Sequence, residues 1–458
     1  MPIQNSGSKY EYFLIAFDGL GKERAEAGGL LSDIVRRRVG DADQAITDVF
    51  LVSHGWLGDI PAAIKQYDRW ISCVADNMPD NIRISRPNFR PLTIGVHWPS
   101  LPWGDETIPT NDRAVASEAF HESLSFDAQM EIYASSISNT PKARAALQIV
   151  LSAAREDGSS TRLSPSVLQA YENLFAETSL SSGSISKPGA DQDRFDPNLI
   201  ISQADKTGSI VEGVSDTMRD ILLAPLRLLS FWKMKERARI FGETGANALL
   251  SSLQKTAPKA RFYLVGHSFG CIVASGAILG PPNRPDLSCP VNTLLHLQGA
   301  LSLWAFASNV PYPPNGQGYF RGIIDRDLVR GPTVTTQSEF DRAVGWFYPL
   351  GAEIVGDVKE AVRLPKYGGI GSFGIEDADN LAHPQKDSDH LKHLEMKSMT
   401  DPYAFEESVV YNLDARKVIK NGNGIAGAHS DIAHPEVAHA LWASVLLGIN
   451  AQRRRSIP

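Results

Sequence analysis

The chain has 458 residues, 43% of them apolar and 21% charged, and a net charge of −7; these values are ordinary for a globular protein and give no overall attraction to nucleic acid. Its three cysteines lie far apart and lack metal-ligand spacing, so we predict neither a disulfide framework nor a metal site. The polar N-terminus and the lack of an apolar run of membrane-spanning length favour a cytoplasmic protein without a transmembrane segment.

Short runs of β-branched residues or leucine recur along the chain, and helical patterns separate most of them. This alternation predicts an α/β fold with a mainly parallel central sheet that helices cover on both faces. The predicted strands are residues 12–17, 49–52, 92–97, 262–265, 293–297, 333–336 and 409–412.

Two stretches interrupt the alternation. Residues 105–230 show mainly helical patterns and predict a helical insertion, a lid or cap over the sheet. Residues 351–407 are rich in Gly, His, Asp and Lys and predict an irregular excursion. The core would then consist of residues 10–104 and 231–448. Within the insertion and just after it, helices are predicted at 114–133, 142–155, 210–229 and 235–253, and a Ser/Gly/Asp-rich loop at 180–197.

The most informative motif follows the strand at 262–265. Residues 266–270 are Gly-His-Ser-Phe-Gly and lead into a small apolar run, a strand–turn–helix pattern with Ser268 at the tip of the turn. Such a turn exposes the serine and directs the amide-rich end of a helix at the reacting centre. The pentapeptide alone arises by chance in roughly one chain in ten to one in five of this length, so its meaning depends on the residues that accompany it.

A serine nucleophile needs a general base and an acid that orients the base. Asp341 lies in the turn after the strand at 333–336, and Glu339 is the nearest alternative acid. His429 lies in a glycine-flanked loop after the last predicted strand and is the predicted base. His434 precedes Pro435 and is better explained as the start of a helix.

The segment 54–56, His-Gly-Trp, follows the second predicted strand. A histidine–glycine turn at this point is typical of a loop that donates a backbone N–H to an oxyanion. We therefore predict the backbone N–H groups of Trp56 and Phe269 as the oxyanion donors. His54 is predicted to hold this loop and is not assigned as the base.

In chain order the four segments are the loop at 54–56, the serine turn at 266–270, the Asp341 turn and the His429 loop. Together they resemble the α/β-hydrolase superfamily, over residues 10–448 apart from the two interruptions. The resemblance implies the α/β-hydrolase fold, a Ser268–Asp341–His429 triad and a lipase- or esterase-like activity that needs no metal or organic cofactor. In the expected mechanism His429 takes the proton of Ser268, which attacks an ester carbonyl, and water then hydrolyses the acyl-enzyme.

The expected partner is a small-molecule or lipid-like ester. The apolar segment 222–232 would line its pocket, pack plainly on the sheet, or contact a membrane surface or another protein. The oligomeric state is not predicted. Besides the oxyanion donors, we assign four residues to the pocket: His54, His267, Trp98 and Leu226.

Other functions remain as alternatives. The same triad would serve a thioesterase, an amidase or a peptidase, and the sequence does not separate these. A non-catalytic α/β-hydrolase scaffold for protein interaction would be expected to lack a member of the triad. A nucleotide-binding α/β protein is disfavoured, because neither a P-loop nor a Gly-x-Gly-x-x-Gly motif follows an early strand.

Overall fold

The computed structural model describes the greater part of the chain. The described residues are 3–6, 10–25, 28–43, 46–56, 60–100, 125–156, 163–178, 180, 195–208, 218–282, 287–310, 316–347, 368–377, 390–422 and 426–455.

A nine-stranded sheet forms the centre of the molecule, in the order β1-β2-β4-β3-β5-β6-β7-β9-β8. β1 is antiparallel to β2, and all other neighbours are parallel. The prediction of a mainly parallel α/β sheet is therefore confirmed. The strands are β1 Ile3–Ser6, β2 Tyr10–Ala16, β3 Asp48–Ser53, β4 Pro91–His97, β5 Arg261–His267, β6 Thr293–Leu297, β7 Thr333–Gln337, β8 Leu391–Glu395 and β9 Val410–Asp414.

The central strands are buried on both faces, which explains the apolar runs in β3 and β5. Every residue of β3, β6 and β7 is buried, and only the first residue of β5 is partly exposed. Parallel strands need this cover, because their crossover helices lie on the two faces. The two strands at the sheet edges, β1 and β8, were not among the predicted strands; both are short and largely polar in sequence.

Helices cover both faces of the sheet. On one face α2 and α14 pack on the sheet, and the indole N–H of Trp442 donates to the carbonyl of Val74 over 2.8 Å. On the other face lie α1, α8, α9 and α10, with α4 to α6 packed outside them. The helices are α1 Leu31–Gly40, α2 Ile60–Asp76, α3 Asp80–Ser85, α4 Phe126–Ser136, α5 Pro141–Glu156, α6 Pro165–Glu177, α7 Pro197–Gly208, α8 Met218–Phe241, α9 Asn247–Thr256, α10 Gly270–Leu279, α11 Arg321–Asp325, α12 Arg342–Phe347, α13 Ile370–Phe373 and α14 Pro435–Arg455.

Residues 210–217 of the helix predicted at 210–229 lie outside the described residues; its described part, 218–229, forms one continuous element with the helix predicted at 235–253. α8 contains Pro225 and runs through a single π-helical turn, Gly242–Ala246, directly into α9. That turn packs closely on α10, where a Cβ atom at Gly242 would lie 2.8 Å from the carbonyl oxygen of Val273. The helix predicted at 142–155 matches α5. Of the helix predicted at 114–133 and the loop at 180–197, only residues 125–133, 180 and 195–197 are described.

The candidate site lies where the parallel strands have their carboxyl ends. The carboxyl ends of parallel strands share an edge, so the segments that follow β3, β5, β6, β7 and β9 are neighbours. These segments carry every residue that the sequence predicted for the catalytic steps.

Candidate active site

Ser268 occupies a sharp turn between β5 and α10. Its backbone is left-handed, with φ of 57°, a conformation that costs a residue other than glycine roughly 1–2 kcal/mol. Three backbone hydrogen bonds of 3.1 Å hold this conformation: the N–H of Ser268 donates to Leu297, and its carbonyl accepts from Cys271 and from Ala300. The end of β6 and the segment after it therefore help to hold the serine in a conformation that a residue other than glycine disfavours.

Glycines allow the backbones around Ser268 to approach one another. A Cβ atom at Gly270 would lie 2.2 Å from the carbonyl oxygen of Ser53, and one at Gly266 would lie 2.3 Å from that of Gly270. At Gly55 it would lie 2.5 Å from the Cβ of Ser268 itself. The loop after β3 thus lies directly against the serine, and only glycine fits at these contacts.

Hydrogen bonds fix the state of His54. Its Nε2 accepts the backbone N–H of Trp98 over 3.3 Å, so Nδ1 carries the proton and donates to the carbonyl of Gly55 over 2.8 Å. Burial, with the neighbouring His97 as a second cause, lowers the pKa of His54 well below its usual value. The ring is therefore neutral and holds the loop in shape.

The backbone of His54 is held by hydrogen bonds as well. The indole N–H of Trp98 donates to the carbonyl of His54 over 3.1 Å, and the hydroxyl of Tyr67 accepts the N–H of His54 over 2.9 Å. Trp98 stacks on His54 and is fully buried. The side chains of His54 and Trp98 thus support the loop. Their contribution to a substrate pocket stays a prediction.

Asp341 and His429 are joined by a hydrogen bond. The Nδ1 of His429 lies 2.9 Å from Oδ2 and 3.1 Å from Oδ1 of Asp341, which is 1% exposed. Asp341 also caps α12, because its Oδ1 accepts the N–H of Val344 over 3.1 Å. A bridge between Asp341 and Gly427 joins the two loops. Glu339, the alternative acid, points away and pairs with Arg416 at 3.3 Å.

The sequence did not reveal Gln298, a buried residue directly after β6. Its amide N–H groups donate to Oδ2 of Asp341 and to the carbonyl of Gly371, each over 3.0 Å. Its carbonyl accepts the hydroxyl of Thr336 over 2.8 Å. The amide is thus fully used, and one of its hydrogens orients the carboxylate that contacts His429. No local pattern marks a glutamine 43 positions away from its partner.

Aromatic side chains surround the serine turn on its α8 side. The ring of Trp56 lies 5.9 Å from that of Phe269 and 6.0 Å from that of Phe231 on α8. Phe269 is fully buried and Trp56 is partly exposed. Leu226, further back along α8, is buried in the main hydrophobic core, so its place in a pocket stays a prediction.

A second His–Asp pair lies nearby, at the start of α14. His434 lies 2.8 Å from Asp431, whose other oxygen accepts the backbone N–H of Asn421 over 2.8 Å. In the described part of the chain, no group of three or more His, Cys, Asp or Glu side chains is placed to hold a metal ion. Among the described helices, none is both long enough and apolar enough to cross a bilayer.

The fold and this edge of the sheet define an α/β protein with a mainly parallel sheet, a serine at a strand–helix turn and a hydrogen-bonded His–Asp pair in neighbouring loops. Comparison of the chain with protein-family models, with curated proteins and with solved structures finds no match.

Proposed function

We propose that this chain is a serine hydrolase of the α/β-hydrolase type that cleaves carboxylic esters, with Ser268 as nucleophile, His429 as base and Asp341 as the orienting acid. The observation that carries the proposal is the 2.9 Å hydrogen bond between His429 and Asp341. It lies at the same edge of the sheet as Ser268, whose φ of 57° is maintained against its conformational cost.

The hydrogen bond assigns a role to each nitrogen of His429. Because Nδ1 donates to the carboxylate of Asp341, Nε2 is the nitrogen available for proton transfer. Asp341 accepts further hydrogen bonds from Gln298 and from Val344, so its carboxylate is oriented before any substrate arrives. Such prior orientation is what a general base needs from its acid partner.

The proposed reaction forms and breaks an acyl-enzyme. The Nε2 of His429 takes the Ser268 proton as Oγ bonds to the carbonyl carbon of the ester, and the carbonyl oxygen becomes an oxyanion. The backbone N–H groups of Trp56 and Phe269 would bind that oxygen, since Phe269 immediately precedes α10, where amides lack partners within the helix. The protonated His429 then donates its proton to the leaving alcohol. Water, activated by His429, attacks the acyl-enzyme in the same way, which releases the carboxylic acid and restores Ser268.

The surroundings of the serine favour an apolar substrate group. Trp56, Phe269 and Phe231 form an aromatic cluster on the α8 side of the turn. Aromatic rings bind acyl chains or aromatic alcohols by burying their surface from water. We propose that α8 and the helices packed on it act as the cap of the site.

Labelling and kinetics test the proposal together. Wild-type protein and variants would be treated with a fluorophosphonate probe and assayed on p-nitrophenyl esters. Ser268→Ala should lose both labelling and hydrolysis, and Asp341→Asn should lower kcat by about 10⁴-fold, since an amide imposes the wrong tautomer on the base. Labelling or hydrolysis that persists in Ser268→Ala would overturn the assignment of the nucleophile.

The chain offers matched controls for the acid and the base. His434→Gln removes the other His–Asp pair, and Glu339→Gln removes the alternative acid. Both should keep wild-type activity, whereas His429→Gln should lose it. If Glu339→Gln is inactive and Asp341→Asn is active, the acid is misassigned.

Two rival functions have their own outcomes in the same experiment. A thioesterase, amidase or peptidase would label at Ser268 but prefer acyl-thioesters or anilides to esters. A non-catalytic scaffold would remain unlabelled although folded.

A further inference from the structure

A chain of side-chain hydrogen bonds links helix α2 to the loop of His429 through the residue before the nucleophile. The amide nitrogen of Gln66 lies 2.5 Å from Nδ1 of His267, and Nε2 of His267 lies 2.9 Å from the carbonyl oxygen of His429. The partners are 201 and 162 residues apart in sequence, so the contacts join three separate segments at the site.

The chemistry of the partners fixes the direction of both bonds. A carbonyl oxygen can only accept, so Nε2 of His267 carries a proton and donates it to His429. Nδ1 then has a lone pair and accepts an N–H of Gln66. Burial, followed by the nearby charge of His429, lowers the pKa of His267 to about 3. The ring is therefore neutral, in this one tautomer, at neutral and moderately acidic pH.

His267 is thereby excluded as a base and acts as a spacer. Both of its nitrogens are engaged, and its ring centroid lies 4.9 Å from that of His429. Because His267 adjoins Ser268 in the chain, one residue fixes the backbone of His429 relative to the nucleophile. The loop of His429 is also bonded to the segment of Asp341, because the N–H of Ala428 donates to the carbonyl of Phe340 over 2.8 Å.

Helix α2 serves as the common support for both loops of the site. Tyr67, next to Gln66, accepts the N–H of His54 and donates to the carbonyl of Val96 over 2.7 Å. Two consecutive residues of α2 thus reach the loop after β3 and, through His267, the loop after β9.

We propose that Gln66 and His267 are positioning residues for His429, and that they set the distance of the base from Ser268 by fixing its backbone carbonyl. The proposal rests on the proposed function. A misplacement of about 1 Å costs a catalytic group roughly 100-fold in rate, so loss of this link should lower turnover more than substrate binding.

The test compares Gln66→Leu with Lys65→Leu, an exposed neighbour on the same helix. Gln66→Leu should lower kcat by about ten- to hundredfold and change KM by no more than about twofold. Lys65→Leu should leave both unchanged. Gln66 is only partly buried, so its variant is expected to fold; urea unfolding of both variants would check this.

Variants of His267 separate positioning from packing. His267→Leu removes the donor to His429, whereas the amide of His267→Gln can still reach that carbonyl and should recover part of kcat. If Gln66 acts through His267, adding Gln66→Leu to His267→Leu should lower kcat no further. Full additivity of the two losses, or wild-type kcat in Gln66→Leu, would overturn the proposal.

A measurement without substrate distinguishes this failure from that of the proposed function. The proton between His429 and Asp341 should give a low-field NMR signal in wild-type protein that broadens in Gln66→Leu and not in Lys65→Leu. An unlabelled, inactive wild type overturns the proposed function. An active wild type whose NMR signal and kcat are insensitive to Gln66→Leu overturns the positioning role alone.

Discussion

The two halves of the candidate site are built by different means. In the first half, around Ser268, backbone atoms and glycines determine the geometry: Gly266, Gly270 and Gly55 lie where a Cβ atom would meet neighbouring atoms within 2.5 Å. In the second half, around Asp341 and His429, side-chain hydrogen bonds determine it, between residues 43 and 88 positions apart. The first half should therefore be sensitive to added volume and the second to lost polar partners.

The largest expected effect is that of a methyl group in the first half. In Gly270→Ala the new Cβ atom would lie 2.2 Å from the carbonyl oxygen of Ser53 and 2.7 Å from that of His54. Both obstacles are backbone, so the strand and the turn must separate, and we expect a loss of about 3 kcal/mol or more in the free energy of unfolding. Urea unfolding would measure it.

Gly316→Ala is the matched control, because a Cβ atom there would meet nothing within 4 Å. It should change stability by less than about 0.5 kcal/mol. Equal stability of the two variants would mean that the glycines of the first half are not required by close packing.

Lowering the pH should reduce the free energy of unfolding through buried neutral histidines in and beside the first half. Burial lowers the pKa of both His267 and His296 to about 3, against 6.5 for an unperturbed histidine. Below pH 6.5 the unfolded chain therefore binds protons that the folded protein does not, and stability falls as the pH falls. Between pH 7.5 and 5.5 we expect each histidine to cost about 1.4 kcal/mol.

Unfolding by urea at the two pH values would measure this loss. His296→Gln cannot titrate and its amide can still bond to Ser275, so the loss of stability between the two pH values should be smaller by about 1.4 kcal/mol in this variant. A pH dependence that is identical in wild type and His296→Gln would show that buried neutral histidines are not its source.

The second half should respond to loss of a polar partner. Gln298→Leu keeps the volume but leaves Asp341, Thr336 and the carbonyl of Gly371 without their amide partner. We expect a loss of about 2 kcal/mol in stability and, because the carboxylate is no longer oriented, a fall in kcat of roughly tenfold or more. Gln317→Leu, at an exposed position, should leave both unchanged. Unaltered kcat in Gln298→Leu would contradict the role of side-chain bonds in this half.

This difference also explains which features the sequence predicts. The serine turn of the first half is contiguous: an apolar strand, a glycine-flanked serine and a small-residue helix occur within a short stretch, so local pattern predicts it. The same holds for the seven central strands, whose short β-branched or leucine-rich runs are recognisable locally. The edge strand β8, Leu-Lys-His-Leu-Glu, carries polar residues, as exposed edges do, and lies in the segment predicted as irregular.

The second half could be predicted only as candidates. Chain order selects Asp341 and His429, but it does not separate Asp341 from Glu339, two residues earlier. Only the fold places one carboxylate against His429 and the other against Arg416. Gln298 and Gln66 lack any sequence signal, since an isolated glutamine acquires its role from partners that folding brings together.

The smallest expected effect is a gain in stability from replacing Ser268, the proposed nucleophile. Ser268 has a φ of 57°, which glycine adopts without cost, so Ser268→Gly should raise the free energy of unfolding by about 1 kcal/mol while abolishing hydrolysis. Ser275→Gly, in α10 and away from the turn, should instead lower it, since glycine weakens a helix interior and the hydrogen bond between Ser275 and His296 is lost. If urea unfolding finds Ser268→Gly less stable than wild type, the turn is not strained. A gain in the free energy of unfolding would mean that the first half retains a conformational cost at Ser268. Ser268 is the residue of this half whose side chain takes part in the proposed reaction.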